Sequence, residues 1–359
     1  MKILHLDDET WDSGLTEYAL SLARAQQKAG ADCLFGAPRG SHAFSAAEKA
    51  GLPVLDISRK WAKAGQILAE TGRFGPQVIN AHTGSAHTFG AFLKFLSSGP
   101  RAKLVRTRAD ARPFSCKPLS APLWALTDGF IGANSAINRS FRICLPNGPQ
   151  DRLILQGIAD FCSEGAPAPQ GKTLGILSRL DPVKGHSTAI KALRIIRERF
   201  PETKLRIAGQ EQNVKGAELK QLAQDMGLSD SVSIEGFVPD KKAFLLGCDI
   251  GLVPSLGSEA VSRAALEWMC AGKPVLASSV GGLGDIVKNG ETGFLLEPGS
   301  ASAIADAACT LLDQPDKLRT MAQAGRKRYE QFFSLEKFTA ETYDFYNSLL
   351  TSSKSDGGI

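Results

Sequence analysis

In the stretch SLGSEAVSRAALEWMCAGKPVLASSVGG (residues 255–282) two glutamates, Glu259 and Glu267, stand eight residues apart across the expected start of a helix. One reading is a helix cap followed by a solvated charge. The other is a pair of hydrogen-bond acceptors set to grip a long anion rich in hydroxyls. At about 1.5 Å per residue, eight residues span about 12 Å of helix, roughly the distance from sugar to ribose in a nucleotide-diphospho-sugar. Ser258 or Glu259 would cap the helix. The N–H groups of Ala260, Val261 and Ser262 in its first turn would then hold the diphosphate between the two carboxylates.

A second stretch, LSRLDPVKGHSTAIKAL (residues 177–193), sets Arg179 and Lys184 between a strand and the mouth of the next helix. Two cations beside a helix N-terminus make an anion site, because the backbone N–H groups and the helix dipole add to the side-chain charges. Arg clamps phosphate oxygens in a fork, whereas Lys supplies a mobile point charge. No D-x-D metal motif accompanies them. No carboxylate is placed for a double displacement, so the reaction would be driven by stabilising the leaving diphosphate.

The elements that must position these groups alternate from end to end. KILHL, ADCLFGA, GLPVLDI, PQVINAH, AKLVRTR and DGFIGAN read as short strands, with helical patterns such as GLTEYALSLARAQQKAG between them. A second series runs through TLGILSRL, KLRIAGQ, SVSIEGFV, DIGLVPS, KPVLASS and TGFLLEP. Such alternation predicts doubly wound parallel sheets, whose ligands lie outside the carboxyl ends of the strands. GIADFCSEGAPAPQGK (residues 157–172) reads as a linker. The expected division is an acceptor-binding domain over 1–163, a donor-binding domain over 172–335 and a final helix over 336–351 that packs back on the first, with a cleft between the domains. TSSKSDGGI reads as a frayed tail.

Composition sets the outer bounds. The 359 residues, 43% hydrophobic and 22% charged, suit two globular domains. MKILHLDDET turns acidic before an apolar run develops, which argues against a signal peptide, and no stretch reads as a membrane span. Seven cysteines without framework spacing suggest reduced thiols in a cytoplasm. The net charge of +5 falls in the first half, with 19 Lys and Arg against 14 Asp and Glu in residues 1–165. Residues 94–117 carry seven cations and one acid, Asp110. That patch suits an anionic acceptor or membrane surface held by Arg106, Arg108 and Arg112, or is an ordinary solvated face. Nucleic acid is not the expected partner, since no aromatic interleaving or binding motif goes with the charges. His87 and His186 read as surface residues without a role.

Taken in order, GILSRLDPVKGHSTAIKAL, LRIAGQ, VSIEGFVPD, the Glu-x7-Glu block with CAGKPVLASSVGG, and NGETGFLLEPGS resemble the donor half of the retaining GT-B glycosyltransferases of the group 1 type. That family includes sucrose synthases, bacterial mannosyltransferases and lipopolysaccharide-core glucosyltransferases. The resemblance implies that Arg179 and Lys184 bind the diphosphate, Glu259 the donor sugar and Glu267 the ribose. It further implies that Gly14 allows close approach at the first loop and that His82, in VINAHTGSAH, lies near the reacting carbon. The sequence departs from the family at Glu259-Ala260-Val261, where Gly and an apolar residue are usual, at Ser13-Gly14, and at Asp285 in GGLGDIV. VRTRADARP resembles a segment of lipopolysaccharide-core transferases.

The expectation is therefore an α/β protein of GT-B architecture. It would be a retaining, metal-independent glycosyltransferase without a cofactor, taking a nucleotide-diphospho-sugar donor and a cell-envelope glycan or glycolipid acceptor. It would be cytoplasmic, with peripheral contact at the inner membrane. Alternatives are a non-catalytic carbohydrate- or lipid-binding protein and a sugar-nucleotide epimerase. Base, sugar and acceptor stay open.

Overall fold

The computed structural model describes residues 1–11, 13–97, 102–110, 114, 120–162, 168–169, 172–257 and 259–352. The chain forms two compact units, the first from residues 1–157 with the segment from Leu335 onward, the second from residues 158–334.

In the first unit seven parallel strands lie in the order β3-β2-β1-β4-β5-β6-β7. They are β1 (Lys2–Leu6), β2 (Asp32–Ala37), β3 (Val54–Asp56), β4 (Val78–Ala81), β5 (Lys103–Arg108), β6 (Gly129–Gly132) and β7 (Gln150–Leu153). The first six match the apolar runs in the sequence. β7 does not: Gln-Asp-Arg-Leu is a polar edge strand, exposed or half-buried throughout, so it has no hydrophobic signature. The order reverses between β1 and β4, where helices α1 (Gly14–Lys28) and α4 (Gly84–Leu96) begin. Each helix is capped by a hydroxyl, Ser13 accepting from the Thr16 N–H and Thr83 from the Ala86 N–H.

The last helix, α14 (Leu335–Ser352), packs on α1 in this first unit. Asn80 Nδ2 donates to the Tyr346 hydroxyl at 2.7 Å, and the Tyr343 hydroxyl donates to the Gln26 carbonyl at 3.0 Å. Gly129 makes room for it: a Cβ there would come within 2.7 Å of Leu349 and 2.9 Å of Phe345.

The second unit repeats the design with six parallel strands ordered β10-β9-β8-β11-β12-β13. They are β8 (Thr173–Leu177), β9 (Lys204–Ala208), β10 (Val232–Gly236), β11 (Ile250–Val253), β12 (Val275–Ser278) and β13 (Gly293–Leu296). Leu174, Ile176, Leu205, Ile207 and Leu252 join Ile190 and Leu193 of α7 (His186–Arg199) in one core. Helix α10 (Arg263–Cys270) lies close to the sheet because Trp268 sits over two glycines. A Cβ would meet its ring at 2.5 Å from Gly175 and at 2.3 Å from Gly251.

The expected linker is split. Its first residues are tied to the second unit, with the Ile158 N–H on the Phe333 carbonyl at 3.0 Å and Asp160 held by Arg326. Residues 163–167, 170 and 171 lie outside the described residues, as do those of the expected tail from 353 onward. No described helix is long and apolar enough to cross a membrane. Cys33, Cys162, Cys248, Cys270 and Cys309 are free.

Candidate active site

In the second sheet the strand order reverses between β8 and β11, the place where open α/β sheets bind ligands. The loop after β8 carries Arg179 and Lys184, and the loop after β11 carries Glu259. Gly185, in the left-handed region at φ +71°, lets the two loops touch. A Cβ there would lie 2.0 Å from the Pro254 carbonyl oxygen. The Leu256 N–H donates to the Val183 carbonyl at 2.7 Å across the same junction.

Lys184 Nζ donates to Glu259 Oε1 at 2.5 Å, and Ser255 Oγ donates to the same oxygen at 2.6 Å. Glu259 is buried and Lys184 nearly so. Arg179 is the open member of the group, with 44% of its side chain exposed and its Nε 3.7 Å from Asp181. Asp181 in turn accepts from the Val183 N–H and from Asn213, and these bonds outweigh its burial and hold its carboxyl below the usual range.

The Glu259 backbone is fixed from a distance. Gly282 N–H donates to its carbonyl at 2.7 Å, and Gly281, at φ +55°, would set a Cβ 2.1 Å from that oxygen. The glycines of SVGGLG therefore serve as the seat for Glu259.

The sequence expectation for the helix start is corrected here. Helix α10 begins at Arg263, with Ser262 at the cap position and no side-chain capping bond. Ala260, Val261 and Ser262 precede the helix, and Glu259 is not on its axis, so the estimate of about 12 Å along a helix does not apply. The turn is diverted because the Glu259 carbonyl is taken by Gly282 rather than by the helix. Ser262 Oγ is buried without a hydrogen-bond partner. Ser258 lies outside the described residues. Glu267 is inside α10 and buried, with Arg263 at 3.7 Å and Lys241 at 3.8 Å from Oε1.

His186, the first residue of α7, is buried rather than on the surface, and its Nε2 is 3.1 Å from Ser178 Oγ. Burial lowers its pKa to about 4. His87 is also buried, against Trp124, with Nε2 2.8 Å from Thr127 Oγ1. Both expectations of surface histidines are corrected, since each ring packs against its own unit.

In the first unit His82 follows β4 and is buried. Its Nε2 is 3.0 Å from His5 Nδ1, and His5 Nε2 is 2.8 Å from Gln26 Oε1. With Gln26 accepting from His5, the His5 Nδ1 is the acceptor and His82 Nε2 the donor. Burial holds both rings neutral, bringing His5 to about 4 and His82 well below its ordinary value. Gly14 is the first residue of α1, and a Cβ there would meet nothing within 4 Å. Nothing in the described chain therefore requires a glycine at that position.

The cations of the basic patch that lie among the described residues find partners within the protein. Lys94 and Lys103 converge on Asp128, the latter at 3.4 Å. Arg106 is buried, donates to the Ala81 carbonyl at 3.1 Å and to that of Thr107, and is lowered to about 10 by burial. Arg108 forks onto Asp110 at 3.1 and 3.2 Å. The window from 94 to 117 leaves out Asp128, which balances Lys94 and Lys103, while Arg101 and Lys117 lie outside the described residues. Arg112 lies outside the described residues.

Two sequence-silent groups also stand at the carboxyl edge of β1. Asp7 is fully buried, and Asp8 joins Lys60 at 2.5 Å and the Thr83 hydroxyl. Burial raises the Asp7 carboxyl to about 7. Their only signal in the sequence was acidity directly after a strand.

Two doubly wound sheets, with a paired Lys and Glu at the second switch point, define the GT-B architecture. Residues 163–328 match the family described as glycosyl transferases group 1. D-inositol 3-phosphate glycosyltransferase of Corynebacterium glutamicum (strain R) is 30% identical over 192 residues, 52% of this chain and 46% of that protein. Phosphatidyl-myo-inositol mannosyltransferase of Mycobacterium leprae (strain TN) is 31% identical over 185 residues, 51% and 48% of the two chains. The chain thus spans about half the length of these relatives. HepE of Anabaena, in a crystal structure with UDP and glucose, superposes with a TM-score of 0.79 over 97% of this chain and 100% of its own, at 23% identity. That likeness shows the fold.

Proposed function

We propose that the protein is a retaining glycosyltransferase that moves a sugar from a nucleotide-diphospho-sugar to a glycan or glycolipid of the cell envelope, of lipopolysaccharide type. The observation that carries this reading is the Lys184–Glu259 pair at the switch point of the second sheet, with half-exposed Arg179 on the same loop as Lys184. In this reading Arg179 and Lys184 receive the diphosphate. Lys184 turns from Glu259 to the phosphate oxygens, and Glu259 is released to accept from donor-sugar hydroxyls. Ala260, Val261 and Ser262 contribute from the loop ahead of α10, and Glu267 takes the ribose hydroxyls.

Negative charge develops on the departing diphosphate, and two fixed cations in a partly water-excluded site stabilise it without a metal ion. Gly14 and His82 would act at the sugar end. His82, neutral and oriented by His5, would serve as a hydrogen-bonding group rather than a proton carrier. The names of the relatives, which include inositol-phosphate and phosphatidylinositol transferases, support an acceptor rich in hydroxyls.

The test is transfer from UDP-, GDP- and ADP-sugars to envelope glycolipid extracts, with the anomeric configuration of the product read by NMR. Transfer with the donor's configuration kept supports the reading. An inverted product contradicts retention, and free sugar epimers without transfer contradict the transferase.

A further inference from the structure

The carboxyl edge of the first sheet holds a second group of residues that the donor site does not use. Trp61, in the turn between β3 and α3 (Ala64–Phe74), leaves 53% of its surface exposed. Its ring is nonetheless fixed. Phe89 and Phe92 of α4 meet it edge-on, with centroids 5.3 and 5.5 Å away and planes at 89° and 73°. Beside it lies a cavity of about 280 Å³ lined by Asp8, Pro38, Ile57 and the turn from Ser58 to Ala62. Lys60 Nζ is 2.5 Å from Asp8 Oδ2, and Thr83 donates to the other oxygen of Asp8. Arg59 holds a left-handed backbone at φ +50°, which is costly for a side chain with a Cβ and recurs at binding sites.

An exposed indole packed against two phenylalanine rings, beside a carboxylate–ammonium pair, has a definite chemical complement. A pyranose ring presents a C–H face for an aromatic surface and hydroxyls that donate to Asp and accept from Lys. Ligand sites of drug size start at about 300 Å³, so this cavity suits one sugar ring. The central cation argues for a neutral ligand, because Lys60 is satisfied by Asp8, whereas exposed Arg59 on the cavity wall is the group that a phosphorylated ligand would seek, and the test separates the two.

We infer that Trp61, Asp8 and Lys60 form a subsite for an uncharged pyranose of the acceptor, beyond the carboxyl ends of β1, β2 and β3. This deepens the transferase reading and rests on it for the word acceptor, but sugar binding here is independent of turnover.

The test uses the full-length protein with its four tryptophans labelled at the indole nitrogen. Trp61→Phe assigns the Trp61 signal by its loss. Methyl glucoside, mannoside and galactoside, and their trisaccharides, are titrated against glucose 1-phosphate and inositol 1-phosphate. The inference expects an uncharged glycoside to shift the Trp61 signal saturably and leave buried Trp268 unmoved, with at least ten-fold weaker binding in Asp8→Asn. It is overturned if no uncharged glycoside shifts Trp61, if only the phosphorylated ligands do, or if Asp8→Asn binds as the wild type does. A dead donor site would show separately, as loss of nucleotide binding with the glycoside shift retained.

Discussion

Lys184 Nζ lies 2.5 Å from Glu259 Oε1, although 75 residues separate them and each follows a different strand of the second sheet. The pair holds the site ready: a buried carboxylate keeps a lysine in place until a phosphate competes for it. Lys184→Ala should lower kcat/KM by about 10²–10³, the loss typical of a single group that stabilises developing charge. It should also cost about 1–3 kcal/mol of stability by taking from buried Glu259 its cationic partner, with Ser255 its remaining side-chain donor among the described residues. Steady-state kinetics and urea unfolding read the two effects.

Gly185 and Gly281 both hold left-handed backbone with a carbonyl oxygen where a Cβ would go. Gly185→Ala and Gly281→Ala should each destabilise by more than the ~1 kcal/mol of a simple Gly-to-Ala conformational penalty. Gly14→Ala, with open space at its Cβ, should leave the melting temperature within about 2 °C of wild type. Thermal unfolding of the three variants side by side checks the contrast.

Asp7 carries a pH signature. Its pKa is raised in the folded state to about 7 from an ordinary 3.8, chiefly by burial, so the folded protein holds a proton that the unfolded chain releases. Its contribution is therefore most favourable below about pH 4 and is lost as pH rises through 7. Asp7→Asn removes that loss. The variant should gain stability relative to wild type on going from pH 5 to pH 8, by an amount on the order of a few kcal/mol. Urea unfolding at the two pH values measures it, and an equal difference at both contradicts the assignment.

His87 works in the opposite sense. Burial lowers it to about 3, so below pH 6.5 the unfolded chain takes up a proton that the fold refuses. Stability is full above 6.5 and falls as pH drops toward 3. His87→Gln should reduce that slope by about 1.4 kcal/mol per pH unit between 6 and 4. Denaturant midpoints across that range provide the check.

Much of this was legible in the sequence. Twelve strands carried apolar runs, and the order of the motifs pointed to Arg179, Lys184, Glu259 and Glu267. What stayed hidden depends on partners distant along the chain. The late start of α10 follows from the grip of Gly282 on Glu259, 23 residues earlier. The pairing of Lys94 and Lys103 follows from Asp128, and β7 was invisible because an edge strand needs no apolar residues. Trp61 drew no reading from the sequence, because Asp8, Phe89 and Phe92 meet it only in the fold.

The central claim is that the second unit holds a nucleoside diphosphate through Arg179 and Lys184. Melting temperature with UDP, GDP, ADP or CMP, each with and without magnesium, tests it most directly, because a ligand of the native state stabilises by mass action. One diphosphate should raise the melting point without magnesium, and Arg179→Ala and Lys184→Ala should abolish that rise. No shift with any nucleotide at millimolar concentration, or a shift that survives both substitutions, would contradict it.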